Sequence, residues 1–373
     1  MARPLPPGEG PGALRRFILP ALFVLALFVA LFMRRPDAPP TVWVFKGKTM
    51  GTTYTVKVIP GGDPGEGPSN TAKSAIDTTL VDVNNKMSTY QSDSELSRFN
   101  ANPTTDPVSI SADLATVVDK ALKLSALSQG AFDVTVGPLV NAWGFGPNKP
   151  GSPPSADVLA TITPKVGYQK LSLDPKAPAL AKAHAEMYVD LSAIAKGHGV
   201  DAVAAELEKL GHKRFMVEVG GEVRAKGLNA SNQLWQIGVE KPDPQARAIQ
   251  EIVALDNLAM ATSGNYRNFY EENGKRISHT INPLTGQPVE HRLASVTVLD
   301  DNCANADGLA TTLNVLGEKD GFELAVKHDI AALFIIKEPT GAFTEKATPA
   351  FERIRKQSQE VSSKEASKEG GAP

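Results

Sequence analysis

Apolar residues follow a helical period through the first half of the chain and a strand-like pattern through most of the second. Helical spacing occurs in four segments, at about 71–87, 111–130, 195–210 and 303–316. Strands are predicted where apolar residues alternate or cluster, at 53–59, 214–219, 234–240, 250–255, 258–264, 276–281, 294–300 and 330–337. Because strand and helix do not alternate regularly, this order predicts an α+β fold with mixed or antiparallel sheets and packed helices.

An uncharged apolar run, Phe17–Met33, lies near the N-terminus between two arginine pairs. As a helix it would span roughly 25 Å, slightly less than a bilayer core of about 30 Å. The run ends in ALFMRRPD, which lacks the small residues of a signal-peptide cleavage site, and no cysteine follows it for lipid attachment. We therefore expect an uncleaved single-pass anchor in the inner (cytoplasmic) membrane, with the body on the periplasmic side. The flanking charges are too evenly distributed to determine the orientation.

Composition divides the chain into three parts. Residues 1–41 form the flank and anchor, 42–350 the folded domain, and 351–373 a polar stretch poor in apolar residues, which predicts a disordered tail. A net charge of −2 gives no indication of nucleic-acid binding. The one cysteine, Cys303, excludes an intrachain disulfide and a cysteine-based zinc site. The chain contains no P-loop, G-x-S-x-G, H-E-x-x-H or C-x-x-C motif.

A carboxylate and a hydroxyl share one face of the predicted helix at 303–316. Asp307 and Thr311 lie four residues apart in NADGLATT, a spacing that places both side chains on the same side of a helix. Both are hard oxygen ligands of the kind that Mg²⁺ prefers, and backbone carbonyls, water or a phosphate would complete the octahedron. The same spacing is common on solvated helix faces, but the apolar neighbours Ala306 and Leu309 favour partial burial of the pair.

Two further stretches combine features of ligand sites with ordinary structural explanations. VDLSAIAKGHGVD, residues 189–201, places Lys196 and backbone N–H groups at a helix start, which suits an anion. A surface lysine beside a capping residue is the alternative. GAFDVTVGPLVNAWGFG, residues 130–146, holds Phe132 and Trp143 among glycines, which is compatible with a flat aromatic ligand and equally with core aromatics near turns.

The stretch SHTINPLTG, residues 278–286, places His279 where a strand meets a tight turn. Pro283 restricts Asn282 to extended conformations, so the strand end presents His279 in a fixed direction. A histidine, with a reference pKa near 6.5, suits the role of a general base at neutral pH. A buried structural histidine is the alternative.

Taken together, these blocks resemble the FAD:protein FMN transferase family, the ApbE-type flavin transferases. The resemblance covers about 42–345, and its motifs are collinear: KTMGTTYTVKV, MSTYQSDSELSRFN, GAFDVTVGPL, VDLSAIAKGHGVD, VGGEVRAKG, ATSGNYRNFYEENGKRISHTINPLTG and ADGLATTLNVLG. It implies an ApbE-like flavin transferase fold for the domain at 42–350.

The resemblance also implies roles for individual residues where the motifs match. The positions implied to contact FAD are Met50, Tyr90, Ala131, Phe132, Asp133, Asp190, Lys196 and Ile281. The implied magnesium ligands are the Ala193 carbonyl, Asp307 and Thr311. His279 falls on the histidine that assists deprotonation of the acceptor hydroxyl.

The reaction implied by this resemblance is Mg²⁺-dependent transfer of FMN from FAD to a threonine hydroxyl, with release of AMP. The partner would be a target flavoprotein, a membrane-associated electron-transport subunit. Two alternatives stay open: an FAD pyrophosphatase that forms FMN and AMP, and a non-enzymatic flavin-binding protein tethered to the membrane. AMP release without an acceptor would favour hydrolysis, whereas the pair Asp307 and Thr311 argues against a simple flavin carrier, because holding a flavin needs no metal.

Three features depart from the family pattern. His198 follows AKG where an aromatic residue is common, and Glu218 and Glu222 flank the double glycine where Asn or Asp is common. These two departures bear on ligand geometry. The third is the missing lipid-attachment cysteine, which changes the mode of anchoring.

Overall fold

Each helix and strand that the hydrophobic pattern predicts coincides with one in the structure, which also contains further helices and strands that the pattern does not predict. The computed structural model describes residues 20, 22–28, 41–61, 68–147, 153–242, 248–265, 269–272 and 275–369. The helices of the larger unit are α1 Asn70–Met87, α2 Glu95–Ala101, α3 Ala112–Leu127, α4 Gly137–Ala142, α5 Ala156–Ile162, α6 Ala195–Lys209, α7 Cys303–Lys327 and α8 Pro349–Glu369. Short 3₁₀ turns occur at Val134–Val136, Thr163–Lys165 and Tyr168–Lys170.

The strands confirm the predicted strand-rich second half. They are β1 Trp43–Thr49, β2 Thr52–Val58, β3 Val108–Ser109, β4 Leu171–Asp174, β5 Ala179–Lys182, β6 Phe215–Val219, β7 Glu222–Lys226, β8 Trp235–Glu240, β9 Ile249–Leu255, β10 Leu258–Gly264, β11 Phe269–Glu272, β12 Lys275–Ser278, β13 Ile281–Asn282, β14 Gln287–Pro288, β15 Leu293–Asp300, β16 Ala331–Lys337 and β17 Phe343–Ala347.

The chain divides into two units, Met1–Pro40 and Thr41–Pro373. In the first unit, residues 22–28 are helical and their large apolar side chains are exposed. Within the part of the chain that the structure describes, no helix is both long and apolar enough to span a bilayer. Most of the predicted anchor, Phe17–Met33, lies outside the described residues, so the anchor stays a prediction.

An antiparallel sheet forms the centre of the larger unit. Among the described residues it has eight strands in the order β1-β2-β6-β7-β10-β15-β16-β17. The register places Val56 of β2 opposite Val217 of β6, and both side chains are fully buried. Helices α1, α6 and α7 cover one face of this sheet, whereas the β8–β9 hairpin and α8 cover the other. The predicted α+β class with antiparallel strands and packed helices is confirmed.

The structure differs from the sequence-based expectation near the C-terminus. The polar stretch at 351–373 predicts a disordered tail, yet helix α8 extends through Pro349–Glu369. Phe351 is fully buried in the cluster that packs against the sheet, and the guanidinium of Arg355 donates to Glu251 on β9. The first turns of α8 therefore bury apolar surface that the average composition of the stretch does not reveal.

Two predicted elements are interrupted in ways that bear on the candidate site. The predicted strand at 276–281 is split into β12 and β13, with His279 and Thr280 between them. Helix α7 continues beyond the predicted end at 316, but Gly317 has non-helical backbone angles with φ at 80°, so the helix breaks there. A positive φ of this kind favours glycine.

Candidate functional site

Helices α6 and α7 cap each other's N-termini with carboxylates. No side chain of its own caps α6, and instead the backbone N–H of Gly197 donates to Asp307 Oδ2 on α7 at 3.0 Å. In return, Asp201 on α6 accepts from the backbone N–H groups of Cys303 and Ala304, each at 3.0 Å. Both carboxylates thus satisfy N–H groups that a helix start leaves without partners, and both benefit from the positive end of a helix dipole.

Glycine at position 197 permits this close approach of the two helix starts. A Cβ atom there would lie 2.3 Å from the Cys303 carbonyl oxygen, closer than real contacts occur. The absence of a side chain at Gly197 therefore allows α7 to approach closely enough for Asp307 to bond to the start of α6. The Asp307 side chain is almost fully buried at this junction, with 5% of the residue exposed.

Lys196 lies between two acidic side chains. Its Nζ is 2.6 Å from Glu222 Oε1 and 3.7 Å from Asp307 Oδ1. Burial lowers the pKa of the Lys196 ammonium, but the charges of Asp307 and Glu222 raise it by more, so this pKa lies above its usual value. Lys196 is therefore a fixed positive charge at the N-terminal turn of α6.

Glu222 begins β7 directly after the turn at Gly220 and Gly221. Only 2% of it is exposed, and its Oε2 has no hydrogen-bond partner among the described residues. Burial raises the pKa of the Glu222 carboxyl to about 8, with Lys196 opposing this shift and Asp307 adding to it. A buried oxygen of this kind is costly unless something binds it.

Two further candidate oxygen ligands for a divalent cation lie on α7 and just before the start of α6. Thr311 lies one helical turn after Asp307 on α7 and is partly exposed. Ala193 lies two residues before α6 and is partly buried. The residue after it, Ile194, packs against α7, because a Cβ atom at Gly308 would lie 3.7 Å from the Ile194 side chain. Within the described part of the chain, no three His, Cys, Asp or Glu side chains form a metal-binding group.

Met50 lies at the tip of the β1–β2 hairpin, above the first turn of α6. Met50 and Gly51 both have positive φ, 48° and 69°, as a two-residue hairpin turn requires. A Cβ atom at Gly199 would lie 2.7 Å from the Met50 methyl group, so this glycine makes room for the methionine. The structure thus brings Met50 to the same helix start as Lys196.

Tyr90 and Asp190 belong to a second group of predicted site residues. Tyr90 is 66% exposed, and its hydroxyl donates to the carbonyl of Phe145 at 3.3 Å. Burial raises the pKa of the Tyr90 hydroxyl, and the charge of Asp190 raises it further. Asp190 Oδ1 accepts from the backbone N–H and the hydroxyl of Ser192, at 2.8 and 2.5 Å.

The stretch Ala131–Phe132–Asp133 is buried. The Phe132 ring faces α7, because a Cβ atom at Gly308 would lie 3.7 Å from it. Both oxygens of Asp133 accept hydrogen bonds, from the N–H and hydroxyl of Thr135 and from the N–H of Tyr168. Burial raises the pKa of Asp133, and these hydrogen bonds oppose that shift. In this arrangement Asp133 caps the 3₁₀ turn at Val134–Val136.

His279 lies between β12 and β13 beside an aromatic cluster. Its ring is 6.2 Å from the Phe145 ring in an edge-to-face arrangement, and Phe145 also stacks near Tyr270 at 5.3 Å. Ile281 is 5% exposed and pairs with Pro288 in the short β13–β14 ladder. Phe145 thus links His279 to Tyr90, because its ring packs against His279 and its carbonyl accepts a hydrogen bond from the Tyr90 hydroxyl.

The structure places the predicted residues in two groups. One surrounds the starts of α6 and α7 and contains Met50, Phe132, Ala193, Lys196, Asp307 and Thr311. The other surrounds Phe145 and contains Tyr90, His279 and Ile281, with Asp190 next to Tyr90. Ala131 and Asp133 are buried, and Asp133 caps the turn at Val134–Val136. Sequence reasoning treated Glu222 only as a departure from a pattern and did not identify Asp201. The sequence pointed to Asp201 only as a carboxylate five residues after Lys196.

The chain is similar to known proteins over most of its length. The model of the ApbE family matches residues 50–334. The FAD:protein FMN transferase of Haemophilus influenzae is 46% identical over 336 residues, which are 89% of this chain and 96% of the relative. The solved flavin transferase ApbE from Vibrio cholerae is 45% identical, with a TM-score of 0.78 over 84% of this chain and 99% of that one. The apo form of Pseudomonas stutzeri flavinyl transferase ApbE is 40% identical, with a TM-score of 0.77 over 86% and 98%.

Proposed function

Because the chain belongs to the ApbE family and is a transferase, we propose that it moves FMN from FAD to a threonine hydroxyl of a target flavoprotein, with Mg²⁺ required and AMP released. The relatives' names supply the donor and the group transferred. The threonine acceptor, the metal and the leaving group are our proposal, supported by the chemistry of the side chains described above.

The observation that carries this proposal is the charged cluster at the start of α6. Lys196 contributes one positive charge, and Glu222 and Asp307 contribute two negative charges when both are ionised. The carboxyl oxygens of Glu222 and Asp307 favour a cation, while the ammonium of Lys196 favours phosphate oxygens. A site that attracts both a cation and a diphosphate suits transfer of a phosphoryl-linked group from FAD.

The residues present fit a magnesium ion. Asp307, the hydroxyl of Thr311 and the carbonyl of Ala193 offer the hard oxygen ligands that Mg²⁺ prefers. Asp307 Oδ2 accepts from the Gly197 N–H at 3.0 Å, and its Oδ1 lies 3.7 Å from the Lys196 ammonium, so the carboxyl group is held in one orientation beside α6. When bound, the ion would neutralise charge on the diphosphate and on the departing phosphate oxygen.

In the proposed transfer, the threonine oxygen of the acceptor attacks the phosphorus on the FMN side of FAD. A new bond forms between phosphorus and the threonine oxygen, and the bond from that phosphorus to the bridging oxygen breaks. AMP leaves with the bridging oxygen, and His279 takes the hydroxyl proton. In this proposal Lys196 holds phosphate oxygens, and Met50 and Tyr90 contact the rest of FAD. Exclusion of water by the acceptor then separates transfer from hydrolysis.

We propose that the folded domain at 42–350 works beside the inner membrane, on its periplasmic side, tethered through Phe17–Met33. The support is the uncharged apolar run without a cleavage site or lipid-attachment cysteine. A target flavoprotein within a membrane-associated electron-transport complex would then be reached by diffusion in two dimensions. N-terminal sequencing of the protein purified from membranes tests this, and a mature chain that starts after Met33 would exclude the tether.

The function is tested by incubating the protein with FAD, Mg²⁺ and a candidate acceptor that carries a threonine. Mass spectrometry should show one FMN added to the acceptor, and chromatography should show an equal amount of AMP. Omission of the acceptor is the control for hydrolysis. AMP and FMN formed at the full rate without any acceptor would identify an FAD pyrophosphatase instead.

A histidine pair tests the role of His279 within the same assay. His279→Ala should bind FAD with near-normal affinity but transfer FMN at least about a hundredfold more slowly, the usual cost of losing a general base. His328→Ala, which changes an exposed histidine at the end of α7, is the matched control and should behave like the wild type. A collapse of FAD affinity in His279→Ala with an unchanged rate at saturating FAD would assign this residue to binding.

A further inference from the structure

A pair of amide side chains, the buried Asn314 and the half-buried Asn265, connects helix α7 to the segment that carries His279. Asn314 on α7 is fully buried, and its Nδ2 donates to Ser263 Oγ at 3.0 Å and to Asn265 Oδ1 at 3.1 Å. In return, Asn265 Nδ2 donates to Asn314 Oδ1 at 3.1 Å. The two side chains thus form a reciprocal amide pair, whose geometry is more restricted than that of a single hydrogen bond.

The same amide oxygen holds both neighbours of His279. Asn265 Oδ1 accepts from the Ser278 hydroxyl at 3.0 Å and from the Thr280 hydroxyl at 2.9 Å. Asn314 Nδ2 also reaches Thr280 Oγ1 at 3.3 Å. Ser278 and Thr280 are buried, and they directly precede and follow His279 in the chain. The residues on both sides of His279 are therefore held by hydrogen bonds from their hydroxyls to the same oxygen, Asn265 Oδ1.

Helix α7 carries this network and the proposed metal ligands together. Asn314 lies seven residues after Asp307, two helical turns along the same helix. Its backbone carbonyl accepts from His291 Nε2 at 2.5 Å, and the helix breaks three residues later at Gly317. The regular part of α7 therefore spans from the charged cluster to the amide pair and keeps the distance between them constant.

We propose that Asn314 and Asn265 are positioning residues for the transfer: they fix where His279 lies relative to Asp307 and Thr311. The inference rests on the proposed function, because it assigns His279 a proton to take at a site built on α7. It adds that the precision of this placement comes from hydroxyl-to-amide hydrogen bonds on both sides of the histidine. Small displacements of a reacting group lower rates by up to about a hundredfold.

The test compares two threonine-to-valine changes that differ only in location. Thr280→Val removes the hydroxyl beside His279. Thr297→Val is the control, since Thr297 is also buried and its hydroxyl pairs with that of Thr262 at 2.8 Å, away from the amide pair. We expect Thr280→Val to lower kcat about tenfold or more, with the KM for FAD within about twofold of wild type. Thr297→Val should retain the wild-type kcat.

A double-variant comparison separates positioning from general loss of structure. If Asn314 acts through His279, Asn314→Leu should lower kcat in the wild type but cause little further loss in the His279→Ala background. Equal losses in both backgrounds would overturn the proposal. Because Asn314→Leu removes several buried hydrogen bonds and can fail to fold, Ser278→Ala serves as a milder second variant, with the same expectation.

A readout without turnover keeps this inference separate from the proposed function. In NMR spectra of protein labelled with ¹³C-histidine, the ring signal of His279 is identified by its loss in His279→Ala. It should shift or broaden in Thr280→Val and in Ser278→Ala and stay unchanged in Thr297→Val. An unchanged His279 signal in the first two variants would refute the positioning role, even if the wild type transfers FMN. A wild type that transfers no FMN would refute the function, while the NMR comparison would still decide the placement of His279.

Discussion

Removal of one charge from the cluster at the start of α6 offers a quantitative test of how the site holds a cation. Glu222→Gln keeps the size of the side chain and its place after the Gly220–Gly221 turn. It changes the summed charge of Lys196, Glu222 and Asp307 from −1 to zero, taking both carboxyls as ionised. Lys196, which now divides its attraction between two carboxylates at 2.6 and 3.7 Å, would be left with Asp307 alone.

The distances set the size of the expected effect. With an effective dielectric constant of about 20, opposite unit charges attract by about 6 kcal/mol at 2.6 Å and about 4.5 kcal/mol at 3.7 Å, as upper limits. The Lys196 side chain is 30% exposed, so solvent screens much of this. Both the loss of a negative charge and the stronger competition of Lys196 for Asp307 weaken cation binding. We expect a change of about 1–2 kcal/mol, a roughly five- to thirtyfold weaker affinity for Mg²⁺.

Isothermal titration with Mg²⁺ at pH 9, above the pKa of Glu222 at about 8, measures this affinity directly. Glu218→Gln is the matched control, because Glu218 lies four residues earlier on the same β6–β7 hairpin. Its carboxylate accepts from the Gly221 N–H at 2.9 Å, and this hydrogen bond is exposed to solvent. Among the described residues, Glu218 forms no ion pair with Lys196. Equal or tighter Mg²⁺ binding by Glu222→Gln would refute this account of the cluster, as would an equal loss in Glu218→Gln.

Three further predictions concern the metal ligand, the C-terminal helix and the response to pH. Asp307→Ala should abolish FMN transfer while circular dichroism shows a folded protein; full turnover in metal-free buffer would contradict this. Phe351→Ala should lower the free energy of unfolding by about 3–5 kcal/mol in urea titrations, since Phe351 is fully buried, and a change below about 1 kcal/mol would show that α8 is not docked. Burial lowers the pKa of His212, so the unfolded chain binds more protons, and stability present above about pH 6.5 is lost as pH falls. His212→Phe, which keeps a ring against Trp43, should reduce that loss in urea titrations between pH 7 and 5, and an unchanged pH dependence would argue against it.

Local chemistry explains which elements could be predicted from the sequence. Helix α3 begins after Ser111, whose hydroxyl accepts from the Leu114 N–H, and the serine is a recognisable start signal. Strand β10 coincides with the predicted strand at 258–264 because its run of apolar residues is buried in the centre of the sheet. By contrast, α8 has a mostly polar sequence, and its order depends on where Phe351 packs.

The same division applies to the site. Local spacing predicts that Asp307 and Thr311 share a helix face and that His279 follows a strand, because both depend on neighbours a few residues apart. The packing of distant segments brings Asp307 to the start of α6, where it accepts from the N–H of Gly197, 110 residues earlier, and brings Glu222 to Lys196. Local spacing sets the direction of a side chain on its own helix or strand. Which charges and hydroxyls meet across the core depends on how helices and strands pack, and that information is spread over the whole chain.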